Sequence, residues 1–223
     1  MNLGLLAREG PSLAQGALVV IKIAAGHLTL GLIGGITLAI MQVYGGRFAS
    51  SISDIIQKIF RSIPVLVLLI MAYFGLTRLV EMPAIIVAII ALGVRSMAYQ
   101  SQVFRGGFKA VDPGQMESAL SIGMTKLESI RFIILPQVLR KVIGPWSNIF
   151  NMEVKDISLA YAIGVLEILK RGRYIIRYTH GNSLLIYLSV ALFYFLLARA
   201  GNTILYRLEA LLRVPGFEGR GDS

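Results

Sequence analysis

The chain has 223 residues, of which 56% are hydrophobic and 15% are charged, and its mean hydropathy is +0.72. An ordinary soluble domain is roughly one-quarter charged, so this composition indicates that lipid surrounds much of the folded chain. The net charge is +10, but the basic residues fall between apolar segments, a pattern that suits lipid headgroups and topology signals and argues against a nucleic-acid-binding face.

Five apolar segments are long enough to cross a hydrocarbon core about 30 Å thick, which takes roughly 20 helical residues. They lie at about residues 17–43, 63–80, 83–104, 142–168 and 183–206. The fourth is the most polar, and a helix of that kind needs its polar face against protein or water. The sequence therefore predicts an all-α integral membrane protein with about five transmembrane helices, and a single domain over residues 1–223.

Basic residues predict the orientation of these spans. The connections after the first and third spans carry nine of the 22, namely Arg47, Lys58, Arg61, Arg105, Lys109, Lys126, Arg131, Arg140 and Lys141. By the positive-inside rule both connections are cytoplasmic, which puts the N-terminus outside and the C-terminus in the cytoplasm. The basic segment Lys170–Arg177 then lies outside, where it either docks an acidic face of another protein or contacts lipid headgroups.

The first span carries small residues at four-residue intervals, Gly31, Gly35 and Ala39. A ridge of this kind lets a second helix approach closely, so we expect a helix–helix contact there.

Metal and nucleophile chemistry find no support in the sequence. There is no cysteine, and the two histidines, His27 and His180, are far apart and not in a metal-ligand spacing. His27 lies in an apolar span, where we expect a packed or cavity-facing side chain.

A charged segment between the third and fourth spans predicts a helix, a sharp turn and a second helix. Asp112-Pro113-Gly114 is a turn signal, residues 115–122 have the pattern of two helical turns, and Gly123 breaks them. Thr125 with Glu128 three residues later predicts a capping box for the next helix. Such a segment is either an ordinary amphipathic connector or a helix that docks in a groove of another protein.

The run Glu117-Ser118-Ala119…Gly123 resembles the coupling motif of ABC-transporter permeases, Glu-Ala-Ala followed after three residues by Gly. Further phrases agree in order and spacing: Phe60-Arg61-Ser62-Ile63-Pro64, Tyr73-Phe74-Gly75-Leu76, Ala98-Tyr99-Gln100-Ser101-Gln102, Ile134-Leu135-Pro136, Lys155-Asp156-Ile157-Ser158-Leu159 and Ile163-Gly164-Val165-Leu166-Glu167. On these phrases the chain is identified as a member of the polar amino acid permease family of ABC importers, the histidine/glutamine-type membrane subunits.

The resemblance implies a multi-pass protein of the cell (inner) membrane that moves a polar amino acid by alternating access. Two cytoplasmic ATP-binding cassette subunits would contact the chain at Glu117, Ser118, Ala119 and Gly123. A second, identical or similar permease subunit and an external substrate-binding protein complete the assembly. The chain has no Gly-x-x-x-x-Gly-Lys-Ser/Thr loop, so we expect no enzymatic activity and no cofactor in it, with ATP and Mg bound by the ATPase subunits.

Ionisable and polar residues inside spans are the candidates for the solute pathway. Arg95, Tyr99 and Gln102 share one face of the third span, and the fourth carries Asn148, Glu153, Lys155 and Asp156. The fork of Arg95 suits a carboxylate, whereas Glu153 or Asp156 suits an ammonium or guanidinium. Alternatively, Arg95, Glu153, Lys155 and Asp156 pair with one another as structural ion pairs.

Departures from the family's pattern bear on the solute. Arg95 stands where the family usually has asparagine, Gln102 where it usually has glutamate, and Lys58 where it usually has an acidic residue. These changes favour an acidic or neutral amino acid over a basic one, although Glu153, at a position usually apolar, counts against this. Another small polar or anionic solute stays open.

Three other classes of function are weighed against a permease subunit. A secondary carrier usually has more spans and inverted repeats, and a channel needs a filter motif that the sequence lacks. A membrane enzyme lacks a Ser/His/Asp or metal grouping, and a membrane scaffold is opposed only by the series of family phrases.

Overall fold

The computed structural model describes residues 3–179 and 183–212, and over these ranges the secondary structure is entirely helical. The helices are α1 Leu3–Tyr44, α2 Gly46–Ser62, α3 Val65–Leu76, α4 Ala84–Lys109, α5 Pro113–Ser121, α6 Lys126–Glu128, α7 Leu135–Asp156, α8 Ile168–Thr179 and α9 Ser183–Leu212. A π-helical turn, Ser129–Ile134, joins α6 to α7, and a 3-10 segment, Ile157–Ile163, follows α7. The predicted all-α class is confirmed.

Three described helices are long and apolar enough to cross a membrane: α1 from Arg8, α4 and α9. The predicted second span differs from a single straight helix, because α2 and α3 form a pair bent by 105° that together pass the same test. The bend follows from Pro64, which lacks an N–H and holds Ile63 in extended backbone (φ −80°, ψ 127°).

The predicted fourth span also differs in form. Its first half is the end of α7, and its second half is the 3-10 segment, which ends where Gly164 takes φ +98°. With three candidate spans, or four counting the bent pair, the number five and the orientation of the termini stay predictions.

The small-residue ridge of α1 packs against α4, as predicted. A Cβ added to Gly31 would lie 2.0 Å from the Ser96 Oγ, and one added to Gly35 would lie 2.8 Å from the Gln100 Cβ. Ala39, one turn further, is fully buried. Only residues without a side chain, or nearly so, allow these two helices to lie so close.

Two buried clusters organise the rest. One lies among α1, α3, α4 and the 3-10 segment, around Leu69, Val87 and Ile157. The other, around Phe104, Phe108 and Ile134, joins α1, the end of α4, the π-helical turn and α7. The second cluster supports α5 and α6, so the segment containing Gly123 is held against the ends of the long helices.

Candidate coupling segment and polar cluster

Residues 113–128, here called the coupling segment, begin at a well-formed helix cap. The Asp112 Oδ1 accepts a hydrogen bond from the Gly114 N–H at 2.8 Å, and Pro113 occupies the first turn, where its missing N–H costs nothing. The helix therefore starts two residues before the predicted position. It ends at Ser121, and the predicted break is confirmed, because Gly123 takes φ +87°.

The predicted capping box is confirmed on the other side of Gly123. The Thr125 N–H donates to the Glu128 Oε2 at 2.8 Å, and the Glu128 N–H donates back to the Thr125 Oγ1 at 3.3 Å. The Thr125 hydroxyl also donates to Glu128, and these hydrogen bonds lower the pKa of the Glu128 carboxyl below its ordinary value. Short-range bonds thus define both helix starts in the segment.

The coupling segment presents an apolar patch around Gly123. Leu120, Ile122 and Leu127 are 47%, 79% and 72% exposed. Glu117 and Ser118 are exposed as well, whereas Ala119 is buried against the chain's own helices. Ile122 and Leu127 were not predicted from the sequence to be functional. Apolar residues on both sides of a glycine in a charged segment could have indicated such a contact surface.

Side-chain bonds tie the coupling segment to two long helices. The Lys126 Nζ donates to the Tyr44 carbonyl at 2.7 Å, at the end of α1, and lies over the Tyr44 ring. The Gln137 amide donates to the Gln115 Oε1 at 3.1 Å, which connects α7 to α5. These bonds connect the coupling segment to the end of α1 and to α7.

A directional chain of hydrogen bonds crosses the interior among α1, α4 and α7. The Trp146 Nε1 donates to Gln100 at 2.8 Å, the Gln100 Nε2 to Ser96 at 2.8 Å, and the Ser96 hydroxyl to the Glu153 Oε2 at 2.7 Å. Every donor in this chain points toward the Glu153 carboxylate, which is 3% exposed. The predicted pathway residue Glu153 thus lies inside the helix bundle of its own chain.

His27, on α1, lies near the Glu153 carboxylate. Its Nδ1 lies 2.8 Å from the Ile23 carbonyl and donates to it, and its Nε2 lies 3.7 Å from the Glu153 Oε2. The side chain is fully buried, in line with the expectation of a packed histidine.

Arg95 and Asp156 form an ion pair at 2.6 Å, which connects α4 to the end of α7. The alternative of mutual ion pairs thus holds for Arg95 and Asp156. Glu153 instead accepts a hydrogen bond from Ser96 and lies near His27, and Lys155 is exposed with no acidic partner among the described residues. The Arg95 guanidinium also lies over the Tyr99 ring, 4.7 Å from its centroid.

The remaining pathway candidates fall in two places. The Gln102 amide donates to the Gln42 Oε1 at 3.4 Å, near Tyr99. Asn148 lies exposed on α7, seven residues before Lys155 on the same helix face. The structure therefore gathers Arg95, Tyr99 and Asp156 in one region, places Gln102 against Gln42 about two turns further along α4, and leaves Asn148 and Lys155 on an open face of α7.

Glu167 is a buried carboxylate whose role the sequence reading missed. It accepts hydrogen bonds from the N–H groups of Leu169 (2.8 Å) and Lys170 (2.7 Å), and from the Tyr194 hydroxyl (3.1 Å). It therefore caps α8 and joins it to α9. The basic segment Lys170–Arg177 is part of this anchored helix, with Arg173 and Arg177 exposed. Nowhere in the described ranges do three His, Asp or Glu side chains gather as a metal site.

Comparisons with known proteins agree over most of the chain. Residues 31–214 match the family of binding-protein-dependent transport system inner membrane components. The probable amino-acid permease protein YxeN of Bacillus subtilis (strain 168) is 35% identical over 204 residues, which cover 89% of this chain and 88% of that protein. The glutamine transport system permease protein GlnP of Escherichia coli (strain K12) is 30% identical, over 92% of this chain and 94% of that protein. Among solved structures, an amino acid ABC transporter with histidines superposes with a TM-score of 0.81 at 25% identity, over 95% of this chain and 99% of that one.

Proposed function

The chain belongs to the family of binding-protein-dependent transport system inner membrane components, and from this membership we infer that it is the permease subunit of an ATP-driven importer of a polar amino acid. The family match over residues 31–214 carries the inference, because it includes the coupling segment and the polar cluster together. The chain is not itself an ATPase; hydrolysis takes place on partner subunits, which bind the ATP and Mg.

The proposed assembly contains two ATPase subunits, a second identical or similar permease and an external substrate-binding protein. It lies in the inner membrane, with the N-terminus outside and the C-terminus in the cytoplasm. The whole chain forms one transmembrane domain with five spans, of which the bent pair of α2 and α3 is the second and α7 with its 3-10 segment the fourth. The exposed Arg173 and Arg177 of α8 then face outward, where the substrate-binding protein arrives.

The coupling segment supports a mechanical link to the ATPases. Leu120, Ile122 and Leu127 offer an apolar patch that is large for an exposed cytoplasmic connector and suits a groove on a partner. When ATP closes the ATPase pair, the segment moves with it. The bonds from Lys126 to Tyr44 and from Gln137 to Gln115 carry the motion into α1 and α7. Alternating access of the pathway follows from the displacement of these helices.

The proposed pathway runs along the open face of α7, past Asn148 and Lys155, toward the region of Arg95, Tyr99, Gln102 and Asp156. Glu153 lies behind this face and acts through Ser96. The departures from the family pattern at Arg95, Gln102 and Lys58 favour an acidic or neutral amino acid, although Arg95 is paired with Asp156 and Glu153 counts against this preference. Another small polar or anionic solute is the alternative, ahead of a stand-alone channel or scaffold. Unchanged uptake of every tested solute in an Arg95→Ala variant would contradict a pathway role for Arg95.

Purification of the tagged chain from its native membrane, followed by reconstitution in liposomes, tests the proposal. We expect an ATPase with a phosphate-binding loop to co-purify, and the complex with its binding protein to take up labelled amino acids only when ATP is supplied. A chain recovered alone from several mild detergents, with solute flux independent of ATP, would favour the channel.

A further inference from the structure

At the break between α2 and α3 lies a guanidinium with no carboxylate partner among the described residues, and we propose that it binds the carboxylate of the transported solute. The residue is Arg61, which precedes Pro64 by three positions and was not among the predicted pathway residues. The inference rests on the proposed function and names one binding contact within it.

Charge pairing distinguishes Arg61 from its neighbours. Arg95 pairs with Asp156 at 2.6 Å, and Arg105 pairs with Asp54 at 3.2 Å. Arg61 is exposed, and its guanidinium has no hydrogen bond or ion pair to any residue in the described ranges. Its N–H fork is therefore available to a ligand.

The Tyr99 ring orients this free guanidinium. Arg61 lies 5.1 Å from the ring centroid, and Arg95 lies 4.7 Å from the same centroid. In a cation–π contact the guanidinium lies over the face of the aromatic ring. When the guanidinium stacks flat on the ring, its N–H groups at the edge stay available to a planar anion. Two cations thus share one tyrosine, and in the described part of the chain Asp156 is the carboxylate that forms an ion pair with Arg95.

Two buried donors lack a hydrogen-bond partner in the described part of the chain: the Arg95 Nε and the Gln42 Nε2, whose side chain is bonded to Gln102, three residues after Tyr99. The Glu153 Oε1, on α7, is a buried acceptor that likewise lacks one. A buried donor without an acceptor costs free energy. At Arg95 and Gln42 this cost is relieved by a ligand group that brings acceptors, as a carboxylate does.

The backbone at the break indicates access from water. Ile63 is extended inside a helix pair that otherwise has the length and composition of a span. Non-helical backbone at membrane depth is tolerated against protein or a water-filled cavity, and not against lipid. Arg61 and Ser62 are exposed beside it, and a charged side chain within a span is expected to face water or protein and not lipid, so we place this surface on the aqueous pathway. The ligand class is accordingly a solute with a free carboxylate, bound through the fork of Arg61.

The experiment has two stages and uses the assembled complex. First, ATP-dependent uptake of an equimolar mixture of the twenty labelled amino acids by proteoliposomes identifies the amino acid that is carried. Second, its binding is measured by equilibrium dialysis on the permease–ATPase complex in nanodiscs without the binding protein, with the α-carboxamide of the same amino acid as competitor.

We expect Arg61→Gln to raise the Kd of the carried amino acid roughly 10- to 100-fold, the range for loss of charge-assisted hydrogen bonds. The Kd of the α-carboxamide should hardly change. Arg61→Lys, which keeps the charge and loses the fork, should raise the Kd about tenfold. Arg47→Gln, which removes an exposed arginine charge near the start of the same helix, is the matched control and should leave both values unchanged.

Two results would overturn the assignment of Arg61 while ATP-dependent uptake still supports the importer. One is a Kd for the carried amino acid that is the same in Arg61→Gln or Arg61→Lys as in the wild type. The other is an equal loss of affinity for the amino acid and for its α-carboxamide. If Arg61→Gln does not assemble, Arg61→Lys decides. Absence of ATP-dependent uptake of any amino acid by the wild-type complex would instead reject the proposed solute class, and the assignment with it.

Discussion

The Arg95 guanidinium donates a hydrogen bond to the Asp156 carboxylate at 2.6 Å, across 61 positions of sequence. The contact joins α4 to the end of α7, at the point where the 3-10 segment begins. The Arg95 guanidinium could bind a solute carboxylate if it were free, but the Asp156 carboxylate already occupies part of it. Arg61 shares Tyr99 with Arg95 but has no carboxylate partner in the part of the chain that the structure describes.

Breaking this pair from one side should destabilise the fold. We expect Arg95→Ala or Asp156→Asn to lower the free energy of unfolding by about 3 kcal/mol, because the remaining polar group is left largely buried without its partner. The double variant should lose less than the sum of the two single losses. Thermal unfolding in detergent measures the cycle, and strict additivity of the three values would contradict the pairing.

The pair between Arg105 and Asp54 is the internal control for this prediction. Its side chains are 32% and 31% exposed, against 11% and 19% for Arg95 and Asp156. Water screens the more exposed pair, so Arg105→Ala should cost no more than about 1 kcal/mol.

A methyl group added at the contact between α1 and α4 should also destabilise the protein. In Gly31→Ala the new Cβ meets the Ser96 Oγ, whose hydrogen bond to Glu153 must then shift. We expect a loss of about 1–3 kcal/mol, as for other overpacked sites. Gly106→Ala on α4, where nothing lies within 4 Å of the added Cβ, should be neutral or stabilising by up to about 1 kcal/mol. Equal melting temperatures for the two variants would show that the ridge does not determine helix approach.

The apolar patch of the coupling segment should carry much of the affinity for the ATPase. Ile122→Asp is expected to weaken co-purification of the ATPase by roughly 30-fold or more, corresponding to at least about 2 kcal/mol, because a carboxylate would be desolvated in the partner's groove. Ile122→Leu, which keeps the apolar surface, should retain binding. A normal ATPase yield with Ile122→Asp, in a complex that still transports, would place the contact elsewhere.

The turn at Gly123 should matter through its backbone. Proline cannot adopt φ +87°, so Gly123→Pro would reorient Ile122 relative to Leu127. We expect ATP hydrolysis to become uncoupled from uptake in Gly123→Pro and in Glu117→Arg, with the helix bundle still folded. The ratio of solute taken up to ATP hydrolysed measures coupling, and wild-type ratios in both variants would rule out this helix as the link.

The capping box should weaken in acid. Because hydrogen bonds from Thr125 lower the pKa of Glu128 in the folded chain, its contribution is fully present above the unfolded pKa of about 4.3. The contribution is lost as the pH falls through the lower folded value. A carboxyl-carbon NMR titration should show the Glu128 pKa moving upward in Thr125→Ala and staying low in Thr125→Ser, which keeps the hydroxyl. An identical pKa in all three proteins would mean that Thr125 does not hold the carboxylate.

Local features of the structure were predictable because they depend on neighbours in sequence. The capping box of Thr125 and Glu128, the break at Gly123 and the ridge of Gly31 follow from backbone sterics and from three- and four-residue spacings. The family phrases likewise identified the permease from order and spacing alone. Span shape was less predictable, since apolar length does not reveal the 105° bend between α2 and α3.

The sequence by itself determined the helical class, the membrane setting and the position of the coupling segment, since composition, periodicity and capping act over a few residues. Only the tertiary structure decided which polar groups become partners: Asp156 pairs with Arg95, Glu153 accepts a hydrogen bond from Ser96 beside His27, and Arg61 lies against Tyr99. It also turned Ala119 inward and Ile122 outward. The physical reason is that burial and charge pairing depend on distances between helices that are remote in sequence, and helix packing sets those distances.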